Sequence, residues 1–413
     1  MAEIDKGLIP NIGSSLTPEQ EIEQVVAETE TVSSSPTEVT ENEDGSVDIN
    51  FDPKAKAEGA ALEHSANLAE FIDENDLNLL GTELYQNYED YKNSRRDWEQ
   101  AYTQGLDLLG FKYEQRTEPF QGASSATHPV LAEAVTQFQA LAYKELLPPE
   151  GPVRTQVVGA TTPEIEDQAE RVAEFMNYQM MDVMKEYETE FDQMLFYLPL
   201  SGSTFKKVYY DELLGRAVSK FIQAQDIIVP YTANSLEEAD SVIHVIKISE
   251  NELRKQQVAG FYRDIELKAS DELTQDDDVR SKERQLEGVT MSGQTEDVFT
   301  LYECHVNLDL EGFEDINPQT GEPTGIKLPY IVTIEENSRE VLSIRRNYKS
   351  DDPLKIRTNY FVHFKFLPGL GFYGFGLIHM IGGLSRTATS ALRQLLDAGT
   401  LANLPAGFKM RGI

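Results

Sequence analysis

The sequence predicts an α+β fold in which a helical first half precedes a strand-rich second half and a final long helix. Three observations carry this expectation. Apolar residues recur at three- and four-residue steps through 62–104 and from Ile165 to Leu198, the period of a helix with one buried face. Between Gly202 and Leu367, runs of β-branched and aromatic residues are separated by turn residues. From Gly376 to Leu404 the helical period returns, rich in Gly, Ala and Ser.

Residues 1–60 are rich in Ser, Thr and Glu and lack aromatics until Phe51, which predicts a disordered acidic arm. Asn42 to Asp48 hints at a calcium loop. With Gly45 at loop position 6, however, Thr40 and Phe51 stand where Asp and Glu are needed, and the motif fails. Residues 61–368 read as one mixed body, helical over 62–200 and strand-rich over 202–367. Within 62–104 the apolar positions include Leu68, Phe71, Ile72, Leu77 and Leu80, with Trp98 expected in the core and Arg95-Arg96 on a solvated face. Pro129 opens a helix that should end before Pro148-Pro149. Thr161, Pro163 and Glu164 form the start of another, whose stripe Ile165, Ala169, Val172, Met176, Met180, Val183, Tyr187, Phe191, Met194 and Leu198 predicts a single helix of more than thirty residues.

Strands are expected over 203–210, 217–222, 241–248, 298–308, 329–335, 340–346 and 359–366, with a hairpin turn at Glu335 to Arg339. The stretch 267–295, carrying Asp276-Asp277-Asp278, reads as an exposed polar excursion. In the last helix, Leu377, Ile381, Leu384, Ala388, Leu392, Leu395 and Ala402 form the expected apolar stripe. Arg386, Ser390, Arg393 and Asp397 form a polar one.

A net charge of −35 over 413 residues argues against an outer surface that grips nucleic acid. It leaves room for a protein that lets nucleic acid pass without holding it. The single cysteine, Cys304, excludes an internal disulfide and fits a reducing compartment. The N-terminus is acidic and lacks the apolar core of a signal peptide, and 369–381 is too short and glycine-rich to span a bilayer. No membrane partner is expected.

Gly369, Gly371 and Gly374 complete a G-x-G-x-x-G between a strand and a helix, the dinucleotide-binding fingerprint. A nicotinamide-dependent oxidoreductase is therefore one reading. Against it, the x-x pair is Phe372-Tyr373, and the acidic residue expected about 20 positions on is only Asp397, inside the same helix. Read as backbone chemistry, Gly371, Gly374 and Gly376 are a hinge from strand to helix. H-E-x-x-H, C-x-x-C, G-x-S-x-G and the phosphate-binding G-x-x-x-x-G-K-[ST] are all absent. Cys304 and His305 are adjacent in a strand, so they point to opposite faces and form no nucleophile–base pair. Neither catalytic residues nor a cofactor nor a metal site is predicted.

Three stretches resemble the portal (head-to-tail connector) proteins of tailed bacteriophages, especially the short-tailed type. They are Gly122 to Pro129 with Leu146 to Val153, Gly202 to Asp211, and Gly371 to Leu377 continuing to Leu404 through Gly412. The resemblance covers about residues 85–413 and is one of overall pattern. It implies a ring subunit, usually one of twelve, at a capsid vertex of the virion, assembled in the host bacterial cytoplasm. Double-stranded DNA passes through the ring, driven by a separate terminase. Major capsid and scaffolding proteins and tail adaptor proteins are the other implied partners. Residues 61–368 would then be the wing, 369–404 a glycine hinge and stem helix, and 405–413 the start of a clip whose remainder is missing. Arg386, Arg393, Lys409 and Arg411 are the candidates for contacts to DNA or between subunits. For Arg386 and Arg393 an inter-subunit ion pair is the simpler expectation. A virion scaffold or adaptor without a channel is a further alternative.

Overall fold

A computed structural model describes residues 38–41, 47–50, 63–111, 118, 120–211, 214–267, 278–288, 298–317 and 322–403. By its internal contacts the chain divides into Met1–Glu63 and His64–Ile413. In the first unit, β1 (Glu38–Glu41) pairs antiparallel with β2 (Val47–Asn50), within the segment expected to be unstructured.

The second unit is α+β. Its helices are α1 (Glu74–Ser94), α2 (Arg96–Leu106), α3 (Val130–Leu146), α4 (Pro163–Tyr178), α5 (Tyr187–Ser201), α6 (Glu250–Val258), α7 (Asp278–Glu287) and α8 (Leu377–Asn403). One sheet is three-stranded, with β10 (Phe361–Lys365), β3 (Ser203–Asp211) and β4 (Arg216–Gln223) in that order. The other is a five-stranded antiparallel meander of β5 (Ile227–Ile228), β6 (Ser241–Ser249), β7 (Val298–Leu308), β8 (Leu328–Glu335) and β9 (Val341–Arg346). Every expected strand forms within a few residues of its expected bounds.

Phe205, Ile222, Ile227, Val242, Phe361 and Phe372 share one core that spans strands of both sheets. A second core draws Tyr102, Leu106, Leu131, Val135, Leu200, Val279 and Ile378 from α2, α3, α5, α7 and α8, so the last helix is built into the body at its start. The β8–β9 turn is held by Glu335, whose Oε2 accepts from Asn337 N, Ser338 N and Ser338 Oγ. Arg339 takes a left-handed φ of 60° there. A Cβ at Gly81 of α1 would lie 2.1 Å from the Arg339 carbonyl oxygen, so glycine lets this helix cross the turn.

Four helical expectations need correction. The helix expected from Leu62 begins at Glu74, because Asn67 instead caps a 3-10 turn at Leu68–Glu70 and bonds β9 through Leu342 O and Ile344 N. The single helix expected from Thr161 is two. A π-turn (Gln179–Val183) and a non-helical Met184 (φ −83°, ψ 79°) separate α4 from α5, and Thr162 rather than Thr161 caps α4. Tertiary contacts override the continuous stripe at that break: Glu186 pairs with Arg216 at 2.8 Å, while Tyr187 and Phe191 pack over Lys206 of β3. The excursion at 267–295 contains α7, which is docked rather than loose: Val279 is fully buried and Arg280 binds Asp226 at 2.5 Å. Finally, α6 follows β6 directly, capped by Ser249, where no helix was expected.

Candidate functional site

The glycine turn between β10 and α8 is closed on itself. Phe375 N donates to Leu367 O at 2.9 Å, Gly374 N to the buried Ser203 Oγ at 2.7 Å, and Gly376 N to His379 Nδ1 at 3.0 Å. These consecutive amides at the end of the fingerprint are thus engaged by the chain's own atoms, whereas a pyrophosphate cradle needs them free. None of Gly369, Gly371, Gly374 and Gly376 has a left-handed φ. A Cβ at Gly374 would lie 2.5 Å from Gly202 O, and one at Gly376 only 2.3 Å from Leu200 O. Their task is close approach to the end of α5, which wedges the turn in place. Gly371 meets nothing within 4 Å, so of the three hinge glycines it alone has room.

Phe372 and Tyr373 fill the corner. Phe372 joins the core spanning the sheets, and the Tyr373 ring stacks on Trp98 at 4.5 Å. Tyr373 Oη donates to Ile227 O at 3.1 Å and accepts from Arg95 at 3.0 Å. Arg95 is therefore not on a solvated face. Its guanidinium is buried and also donates to the carbonyls of Ile227 (2.8 Å), Ala224 (3.2 Å) and Gln225 (2.5 Å), and to Glu99 Oε1 (2.8 Å). Two adjacent arginines look alike in sequence, but the break between α1 and α2 turns Arg95 inward and leaves Arg96 exposed.

Beneath α8 lies a polar cleft of about 660 Å³, and it gathers two of the four basic candidates. Arg386 and Arg393 line it together with Lys282 of α7, Asp107, Thr127 and Asp397. Arg393 donates from Nε to Ala126 O at 2.8 Å and from Nη2 to Ser125 O at 3.4 Å and Thr127 Oγ1 at 3.1 Å. Asp397 accepts from Ser124 N at 2.6 Å, and Thr389 Oγ1 from His128 N at 3.1 Å. One turn after another, α8 thus reads the backbone of the loop 121–128. In this chain the charge of Arg393 is used on its own loop. Arg386, in contrast, is exposed and has no hydrogen bond or ion pair among the described residues. Lys409 and Arg411 lie outside the described residues. Lys282 was missed because its run is so polar. The one signal there is the apolar pair Val279 and Leu286 at helical spacing, which marks α7 as a docked helix.

The expected stripes of α8 are rotated. The buried line is Ile378, Gly382, Ser385 and Thr389, while Leu384 is 69% and Leu395 71% exposed. At 100° per residue, Met380, Leu384, Thr387, Ala391, Leu395, Ala398 and Ala402 fall on one solvent-facing line. The three charged residues of the helix, Arg386, Arg393 and Asp397, all lie to one side of that line.

A buried charge cluster sits where the two sheets meet. Lys207 of β3 holds both oxygens of Glu303 at 2.6 Å, and His305 Nε2 lies 2.8 Å from Glu303 Oε1. Glu303 is held well below the usual carboxylate range although its burial alone would raise it, because Lys207 and His305 stabilise the anion. Cys304 and His305 both are buried, since this strand is covered on both faces. His363 meets Ser203 Oγ at 3.1 Å, but His244 has a buried Nδ1 with no hydrogen-bond partner among the described residues. Burial brings each of these two imidazoles down to about 3. No group of three or more His, Cys, Asp or Glu among the described residues could hold a metal.

The arrangement is an α+β body with a polar cleft and, among the described residues, an exposed helix face. No protein-family model matches the chain, and no curated protein does. Among the described residues no helix is long and apolar enough to cross a membrane.

Proposed function

We propose that the chain is a subunit of a ring-shaped portal at the capsid vertex of a short-tailed bacteriophage, forming the channel for DNA packaging and ejection and the docking site for terminase and tail proteins. The observation that carries this reading is the outer face of α8. It runs 27 residues, about 40 Å, and its solvent line is apolar or small and free of charge. In a chain of net charge −35, so long an uncharged exposed line is a surface waiting for a partner. Thr387, Ala391, Ala398 and Ala402 let another helix approach closely, as small residues do between packed helices. Identical helices side by side around an axis satisfy every copy at once, and a ring is the closed form of such head-to-tail contact. A net charge of −35 also suits a protein that conducts DNA without holding it over its whole surface.

Negative-stain microscopy and analytical ultracentrifugation of the full-length protein test the reading. Rings with a central pore are expected, and their loss on Leu384→Glu or Leu395→Glu would tie them to α8. A monodisperse monomer, or an oligomer without a pore, would overturn it; the second result would favour a scaffold or adaptor role.

A further inference from the structure

The geometry points to a second role for the polar cleft beneath α8: binding a phosphate oxyanion, with Arg386 as the anchor. This rests on the cleft alone and not on the ring reading. Three cations, Lys282, Arg386 and Arg393, face two carboxylates, Asp107 and Asp397, which leaves an excess of one positive charge. Each carboxylate already has an internal task. Asp107 Oδ1 takes Lys282 at 2.5 Å, and Asp397 Oδ1 takes Ser124 N at 2.6 Å. Arg386 is left without an internal partner among the described residues, and Arg393 has Nη1 unused after its three bonds to the loop.

The spacing suits phosphate. Arg386 and Arg393 are seven residues apart, two turns and about 10 Å along the same face of α8. Ser390 lies between them and lines the same cleft, offering a hydroxyl donor. A guanidinium presents paired donors that match the oxygens of a phosphate group. With a net charge of −35 the chain repels anions, so saturable binding requires a local site rather than a general attraction. The 660 Å³ of space is enough for a diphosphate or for two neighbouring phosphates of a nucleic-acid backbone.

Isothermal titration calorimetry of the full chain at low salt, with inorganic phosphate, pyrophosphate and a short double-stranded DNA as separate titrants, tests the proposal. Saturable binding of at least one of these is expected, weakened at least tenfold by Arg386→Ala and kept by Arg96→Ala, which removes an exposed arginine outside the cleft. Arg386→Lys should fall between, since it keeps charge but loses the paired donors. Response to the two small anions identifies a free-phosphate site; response to DNA alone identifies backbone phosphates as the source. Either supports the site. Absence of saturable binding for all three, binding indifferent to Arg386→Ala, or equal loss in Arg96→Ala overturns it. Arg386 is exposed, so a far-UV spectrum unchanged from wild type is expected for its variants.

Discussion

Replacing Arg95 by methionine should destabilise the second unit by about 3–5 kcal/mol, the range for stripping one partner from a buried charged network. The magnitude follows from what is left behind. The side chain is 5% exposed and its nitrogens serve three backbone carbonyls, the Tyr373 hydroxyl and Glu99. Each oxygen orphaned in a buried site costs roughly 1–3 kcal/mol, and partial relaxation keeps the total below the sum. Glu99, whose side chain is 11% exposed, loses its 2.8 Å contact to the guanidinium. Two variants apportion the loss. Arg96→Met should stay within about 0.5 kcal/mol of wild type, as surface changes do. Arg95→Met combined with Glu99→Leu should recover part of the loss, because the part-buried carboxylate that lost its arginine goes too. Urea unfolding followed by far-UV circular dichroism reads all three. An Arg95→Met midpoint indistinguishable from that of Arg96→Met would refute the reasoning.

Gly376→Ala should cost about 1–3 kcal/mol, since its Cβ would lie 2.3 Å from Leu200 O, whereas Gly371→Ala should stay within about 0.5 kcal/mol; thermal melts of the pair check this. Acid should weaken the fold between about pH 6.5 and 3. His244 and His363 take up protons there in the unfolded chain but not in the folded one, at up to about 1.4 kcal/mol per pH unit for each histidine. Glu303, depressed when folded, adds to the loss as pH falls below its unfolded value. Urea midpoints at pH 7, 5.5 and 4.5 that do not fall would contradict this. Lys206 is buried with Nζ unpaired over Tyr187, and burial lowers it to about 8. Lys206→Met should therefore be neutral or stabilising, and its advantage should shrink from pH 8 toward 10.5 as the wild-type lysine loses its proton in the unfolded chain too. A loss above about 2 kcal/mol in the same urea assay would mean the ammonium is better solvated than its surroundings indicate.

How far the fold could be read depended on whether local pattern or tertiary contact decided each element. Strands β3, β4 and β6 to β10 were legible because their β-branched and aromatic runs are bounded by turn residues. The Glu335 to Arg339 turn was legible because Glu335, Asn337 and Ser338 satisfy it locally. The break at Met184 was not, because it is imposed by Arg216 and Lys206, both distant in sequence. In α8 the period was legible and its orientation was not. The buried line contains Gly382, Ser385 and Thr389, small and polar residues that a hydrophobicity pattern assigns to the outside. They sit inward because Thr389 bonds the loop backbone and because a Cβ at Gly382 would come within 3.3 Å of Leu108 Cδ1. Of the candidate site, Arg386 and Arg393 were visible as a polar stripe. That Arg393 is spent on its own loop, and that Lys282 completes the cleft, depend on chain segments more than a hundred residues away.

The stack of Trp98 on Tyr373 has a practical consequence. The chain has one tryptophan, and its ring lies 4.5 Å from a residue of the turn that leads into α8. Any swing of that helix away from the body would have to part the two rings, so the natural fluorescence of the unlabelled protein is a built-in gauge of α8's attachment. It can be followed in real time.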